Sequence, residues 1–230
     1  MTDPTVDAEA DVRRRFAEVK DRLVAACRAA GREPEAVALV AVSKRQPEAR
    51  LAAAIALGHC DFGENYPQEL AHKQAEHPDV RWHFVGHLQR NKAKLVADAA
   101  LIHGLDSDKL ARALDRQGQG GDRKLPVLIQ VHQGGEATKA GVEPAEVGAL
   151  IDATRVLDHL EVQGLMTLPP PGEGRRHFAE LRELRDRLRV QTGLPLPHLS
   201  MGMSDDFEDA IAEGATIVRI GTALFGPRPP

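Results

Sequence analysis

Eight short apolar runs punctuate this chain, and each of the first seven is followed by a stretch with helical spacing. The runs fall at residues 37–44, 60–63, 82–86, 101–105, 126–131, 160–167, 197–200 and 215–220. Between them lie one-sided apolar stripes. Leu51, Ala52 and Ile55 follow Pro47, further stripes cover 66–76 and 88–96, and Leu110 and Leu114 stand behind Ser107 as an N-cap. Pro144 opens the next helix, Phe178, Leu181, Leu184 and Leu188 line another, and Ser204 caps a last one running to Ile211. Strict alternation calls for parallel strands joined by right-handed crossovers, and eight units favour closure over an open sheet. The expected fold is therefore α/β, a single (β/α)8 TIM barrel over 1–230, with 226–230 as a tail. The eighth run has no helix after it. The stripe Val12, Phe16, Val19, Leu23, Ala26 and Ala30, ended by Gly31 and Pro34, is expected to complete the outer ring.

Composition narrows the function classes. Apolar residues make up 42% and charged residues 28% of 230, enough for a sizeable core and against wholesale disorder. A net charge of -4 and 3% aromatic content give neither a global positive field nor stacking platforms, so nucleic acid is not an expected partner. Cys27 and Cys60 have no metal-type spacing and read as buried free thiols, and the ten histidines form no H-x-x-x-H or Cys-paired ligand set. The acidic start Met1-Thr2-Asp3-Pro4 has no apolar leader and no run reaches membrane-spanning length. The expectation is a cytoplasmic monomer with no membrane partner. The arginines and acids of the helix around Phe178 read as a solvated face.

The first run ends abruptly at Ser43-Lys44. A lysine directly after a core strand either snorkels to water or is kept neutral, and a neutral amine is a nucleophile towards aldehydes. In barrels the chemistry sits where strands end and loops begin. Those positions hold Ser43-Lys44, Glu64-Asn65, His87, Asp106, His132, Met166-Thr167, Ser200 and Arg219 with Gly221-Thr222. Solvation alone would make such loops polar. The last two segments carry more. Ser200-Met201-Gly202-Met203-Ser204-Asp205-Asp206 sets a small-residue turn against a helix start, which suits an anion, although Asp205 and Asp206 can satisfy that end themselves. After the final run, Gly221 lets backbone approach a ligand and Thr222 adds a hydroxyl. A lysine and a phosphate cradle facing each other across one mouth ask for a phosphorylated aldehyde, and pyridoxal 5′-phosphate meets both demands.

The segments Ala41-Val42-Ser43-Lys44, Asp61-Phe62-Gly63-Glu64-Asn65-Tyr66, Trp82-His83-Phe84-Val85-Gly86-His87, Gly164-Leu165-Met166-Thr167, Leu199 to Asp206 and Val218-Arg219-Ile220-Gly221-Thr222 occur in this order. In them the chain resembles the pyridoxal phosphate homeostasis proteins of the YggS/PROSC type, from about Val12 to Gly226. The resemblance implies a barrel like the N-terminal domain of alanine racemases, with pyridoxal 5′-phosphate held as a Schiff base on Lys44. It implies Arg219 facing the pyridine nitrogen, Ser200, Gly221 and Thr222 at the phosphate, and Asn65 and Met166 lining the cofactor. It further implies a part in vitamin B6 homeostasis, sequestering, buffering or delivering the cofactor, with cofactor-dependent apoenzymes as transient acceptors. His132 stands where the family is expected to have Asn, and Arg45 where Thr is common.

A carrier without catalytic turnover is the first expectation. An arginine at the ring nitrogen, being cationic, disfavours the proton that a strong electron sink needs. A racemase-like enzyme is the alternative, but it needs acid-base groups on both faces of the substrate carbon, and Lys44 supplies one. Tyr66, the chain's only tyrosine, reads as a packing residue, while His83 and His87 suit a core or loop hydrogen bond as well as catalysis. A cofactor-free aldolase explains Lys44 and leaves Arg219 without a task. Lys92, Lys94 and Lys139 lie near mouth loops, either as solvated charges or as a second, transient attachment point.

Overall fold

The computed structural model describes residues 4–119, 121, 123–134 and 140–227. Lys139 and 228–230 of the expected tail lie outside them. Eight strands, β1 (Ala38–Val42), β2 (Asp61–Glu64), β3 (Arg81–Phe84), β4 (Leu101–Leu105), β5 (Leu125–Val131), β6 (Leu160–Thr167), β7 (His198–Ser200) and β8 (Ile217–Ile220), close in sequence order into a parallel barrel. β8 returns to pair with β1, Val40 opposite Arg219. The expected barrel is present. Around it run α1 (Pro4–Ala29), α2 (Glu48–Ala56), α3 (Pro67–Glu76), α4 (Asp108–Gly118), α5 (Val147–Thr154), α6 (Gly174–Thr192), α7 (Phe207–Ala212) and the single turn α8 (Thr222–Phe225).

Alternation along the strands divides the core in two. Leu39, Ala41, Phe62, Trp82, Phe84, Ile102, Val127, Ile129, Leu165, Leu199, Val218 and Ile220 point outward and join the helices in one large cluster. Inside the barrel only Val40, Leu101, Leu128, Met166 and Ile217 form a second, separate apolar cluster. Several other inward positions are polar and buried, among them His83, His103, Ser200 and Arg219. A barrel interior is ordinarily packed with branched apolar side chains. Here half of it is a hydrogen-bonding column.

Several boundaries differ from the sequence reading. β1 stops at Val42, so Ser43 and Lys44 already belong to a turn. The 88–96 segment is a 3-10 helix over Arg90–Val96 rather than an α-helix, because its buried residues Ala93 and Val96 are three apart and three residues per turn stacks them on one face. Ser204 does not cap α7. The loop before that helix is held instead by Asp206, whose Oδ1 accepts the Met203 N–H at 2.7 Å. Of the two cysteines, both without a disulfide, Cys27 is buried as expected and Cys60 is exposed, since it precedes β2 rather than lying in it.

The N-terminal helix closes the outer ring. α8 is one turn long and cannot cover its share of the barrel wall, and α1 packs against α2, α7 and α8 in that gap. Val12, Phe16, Val19 and Leu23 form its buried stripe. The Phe16 ring stands edge-on to Phe225 at 5.8 Å and to His59 at 5.3 Å. Among the described residues no helix is long and apolar enough to cross a membrane. If α1 is part of the barrel's core, Phe16→Ala will lower unfolding free energy by about 3–5 kcal/mol in urea with an unchanged m-value. A loss under about 1 kcal/mol would mean that α1 is only an accessory.

Candidate cofactor site

At the carboxyl ends of the strands lies a cavity of about 490 Å³, within the range of small-molecule sites. Lys44 from the turn after β1, Asn65 after β2, Arg219 on β8, and Gly221 and Thr222 after it all line this one space. Leu168, Pro169 and Pro171 from the loop after β6 and Met203 from the loop after β7 add apolar wall. Leu168 and Met203 are 37% and 40% exposed, so the rim is open and greasy.

Arg219 is the buried charge of the site, 4% exposed. Its Nη1 donates to Ser200 Oγ at 2.6 Å and its Nη2 to the Thr167 carbonyl at 2.9 Å. A guanidinium has five N–H donors and no acceptor, so two bonds leave capacity for a ligand at the cavity wall. Burial lowers its pKa to about 10, with the Asp206 carboxylate working against that shift, and it remains a cation at neutral pH.

The Lys44 turn is clamped from behind by an ion cluster that the sequence reading did not single out. Lys73 of α3 is 6% exposed and gives all three of its protons, to Glu64 Oε1 at 2.7 Å, Glu69 Oε1 at 2.9 Å and the Ser43 carbonyl at 2.9 Å. Ser43 Oγ donates to Glu64 at 2.7 Å, and the Arg45 N–H donates to Glu69 at 2.8 Å. The residues on either side of Lys44 are thus both fixed. Arg45 takes a positive φ of 56°, and its guanidinium lies 5.0 Å over the Tyr66 ring. Burial raises the Glu64 carboxyl to about 7, opposed by Lys73 and Ser43, and its Oε2 is buried with no partner among the described residues. The one clue in the sequence was Lys73 at i+3 from Leu70, on the buried stripe of α3.

In the loop after β7, Ser204 Oγ accepts the Ala223 N–H at 3.2 Å, which leaves its own proton to donate. Gly202, at a φ of 91°, brings this loop back under β8, where its carbonyl accepts the Arg219 N–H at 3.0 Å. A Cβ at Gly202 would sit 2.6 Å from the Ala210 Cβ, so the close approach requires glycine. Gly221 leaves the wall beside Thr222 without a side chain, and a Cβ there would press on the Val42 carbonyl at 3.2 Å.

Of the seven residues expected at the cofactor, Lys44, Asn65, Arg219, Gly221 and Thr222 reach the cavity. Ser200 and Met166 do not. Ser200 is fully buried beneath Arg219, its hydroxyl 2.8 Å from His103 Nδ1, and Met166 belongs to the small apolar cluster inside the barrel. Ser204, read in the sequence as a helix cap, occupies the wall where Ser200 was expected. His83 is a buried core residue, bonded to Asp61 and His103. His87 is exposed with its Nδ1 3.3 Å from Asp106, and His132 lies 3.0 Å from Glu143. Both line a smaller hollow of about 230 Å³ that shares Asn65, Val85 and Leu168 with the main cavity. Tyr66, Lys92 and Lys94 lie outside the lining of either space. Among the described residues, one set of side chains is close enough to share a metal ion, Glu48, Glu76 and His77, none of which lines either space.

Comparison with known proteins settles the lineage. Residues 16–229 match the family model of the alanine racemase N-terminal domain. A pyridoxal phosphate homeostasis protein of Pseudomonas aeruginosa is 47% identical over 220 residues, covering 93% of this chain and 94% of its own length. The chain belongs to the pyridoxal phosphate homeostasis protein family. Its counterpart in Escherichia coli K12 is 40% identical over 227 residues, covering 95% of this chain and 97% of its own. Among solved structures, PipY of Synechococcus elongatus, described with PLP bound, superposes with a TM-score of 0.79 at 39% identity, over 90% of this chain and all of PipY. Alanine racemase of Corynebacterium glutamicum, at 20% identity and a TM-score of 0.68, shares the fold over 92% of this chain and 61% of its own.

The clamp behind Lys44 makes a quantitative expectation. Lys73→Met strands Glu64 as an unpaired buried carboxylate and will lower stability by about 3–5 kcal/mol, while Glu64→Gln in the same chain will recover at least half of that loss. Urea denaturation of the two single variants and the double variant checks this. Additive losses would show that the pair is not coupled.

Proposed function

We propose that this protein binds pyridoxal 5′-phosphate in the barrel mouth, tethered covalently to Lys44, and serves vitamin B6 homeostasis by sequestering, buffering or delivering it. The observation that carries this reading is the meeting of one lysine amine and one buried guanidinium in a cavity also lined by Ser204, Gly221 and Thr222. That donor set fits the cofactor: an amine for its aldehyde, a cation-bearing donor for its ring nitrogen, and hydroxyl with backbone N–H groups for its phosphate. When bound, pyridoxal 5′-phosphate supplies an aldehyde that condenses with an amine and a conjugated ring that absorbs visible light.

The chain's own residues divide the work. Lys44 is presented by a turn whose neighbours Ser43 and Arg45 are fixed by Glu64, Lys73 and Glu69, so the backbone from which its side chain projects is ordered before attachment. Arg219 offers N–H donors to an unprotonated ring nitrogen and, being positive, opposes a proton there. Ser204 and Thr222 would donate to the phosphate, Gly221 would leave room for it, and Asn65, Leu168 and Met203 would line the space for the ring. We assign no catalytic turnover. Racemisation would need a second acid or base opposite Lys44, and Tyr66 is exposed beneath Arg45 rather than at the cavity. The exposed rim suits exchange of cofactor with apoenzymes as transient acceptors.

Adding pyridoxal 5′-phosphate to the purified protein will produce a visible absorption band, and borohydride will fix one equivalent on Lys44, located by peptide mass mapping. Lys44→Ala will abolish the band and the fixed adduct while leaving the circular dichroism spectrum unchanged. An adduct that maps elsewhere, or a wild-type protein that stays colourless, would refute the assignment. If amino acids added to the loaded protein exchange their α-proton with deuterium oxide, the carrier reading gives way to an enzyme.

A further inference from the structure

His83 and His103 face into the barrel from β3 and β4, fully inside the protein, and nothing in the cofactor site touches them directly. They belong to an unbroken line of hydrogen bonds. From Arg219 Nη1 the line runs 2.6 Å to Ser200 Oγ, 2.8 Å on to His103 Nδ1, 3.1 Å from His103 Nε2 to His83 Nδ1, and 3.2 Å from His83 Nε2 to Asp61 Oδ1. Asp61 opens β2 at the opposite end of the barrel, where Arg81 holds both of its oxygens at 2.7 and 2.6 Å.

The chemistry of the ends sets the direction of every proton. Arginine only donates, so Ser200 Oγ must accept from Arg219, and the serine's single proton then goes to His103 Nδ1. His103 consequently carries its proton on Nε2 and gives it to His83 Nδ1. His83 likewise keeps its proton on Nε2 and gives it to the Asp61 carboxylate. With one proton on each ring, each donor finds one acceptor. The charged groups agree with this. His103 is faced by His83 from β3, by Ser200 and His198 from β7 and by Arg219 from β8, with no anion among them, and burial holds its pKa well below the ordinary imidazole value. Asp61, bonded by His83 and Arg81, is held below the usual carboxylate range and stays ionised.

We propose that Asp61, His83 and His103 are positioning residues for the cofactor, holding Arg219 aimed at the ring nitrogen through Ser200; this rests on the pyridoxal phosphate reading of the mouth. Hydrogen bonds that all point one way, from a cation to an anion, polarise and strengthen one another. Swinging Arg219 away from the cavity breaks the line at its first link and leaves a buried hydroxyl and two buried imidazoles to reorient. A carboxylate four hydrogen bonds from Arg219 thereby helps to keep the guanidinium fixed.

Nitrogen-15 NMR of the imidazoles in the unloaded protein tests the line without any cofactor. Both His83 and His103 will be Nε2–H tautomers at about pH 8, and His103 will stay neutral down to about pH 5. An Nδ1–H tautomer, or a His103 that titrates in that window, would overturn the inference. In protein loaded with ring-labelled pyridoxal 5′-phosphate, His103→Leu will weaken binding about tenfold and move the ring-nitrogen resonance. His103→Asn, which keeps an acceptor for Ser200, will recover most of both effects, and Asp61→Asn will shift the same resonance in the same direction by less. A folded His103→Leu protein with unchanged affinity and resonance would overturn the proposal. Should that variant not fold, an Asp61→Asn protein with an unmoved resonance would overturn it equally. A wild-type protein that takes up no pyridoxal 5′-phosphate would instead refute the reading of the mouth, which the tautomer measurement does not depend on.

Discussion

A guanidinium buried at the top of a closed barrel has to be satisfied by what lies beneath it, and the polar half of this interior follows from that requirement. Arg219 cannot accept a hydrogen bond and cannot shed its charge at neutral pH, so the groups around it must supply oxygens. Ser200 and the Thr167 carbonyl do so. Ser200 then needs an acceptor of its own, which explains His103, and His103 in turn explains His83 and Asp61. Among the described residues the apolar cluster inside the barrel has five members, and the fold is sustained instead by the large cluster between strands and helices.

The mouth is built on two supports of different kinds. Behind Lys44 lies a compact ion cluster in the layer between strands and helix α3, and beneath Arg219 lies an extended line through the barrel itself. Both fix backbone or head groups on the strand side of the site. The opposite wall, made by Leu168, Pro169, Pro171 and Met203, consists of loop residues with exposed apolar surface. Rigid attachment points facing a soft, open rim suit a molecule that holds a ligand firmly in orientation yet lets it go, and they suit less well a catalyst that must exclude water.

The barrel could be read from the sequence because strand-helix alternation and apolar periodicity are local properties. The position of Lys44, Asn65, Arg219, Gly221 and Thr222 at one mouth followed from topology alone, since each sits at or just beyond the carboxyl end of a strand. What escaped were features fixed by partners distant in the chain. Ser200 and Ser204 are four residues apart, and only the path of the loop through Gly202 decides which one reaches the cavity. Lys73 looks like any helix lysine until Glu64 from β2 is brought against it. His83 could be read as a core histidine, but its role waited on His103 and Asp61, which lie twenty or more residues away.

The central claim is that Lys44 and Arg219 grip opposite ends of one cofactor in this cavity. A crystal structure of the protein soaked with pyridoxal 5′-phosphate measures that directly. The account predicts density continuous from Lys44 Nζ into the ring, the phosphate against Ser204, Gly221 and Thr222, and the ring nitrogen within hydrogen-bonding distance of Arg219. Density that leaves Lys44 unmodified, or a ring whose nitrogen faces away from Arg219, would contradict it.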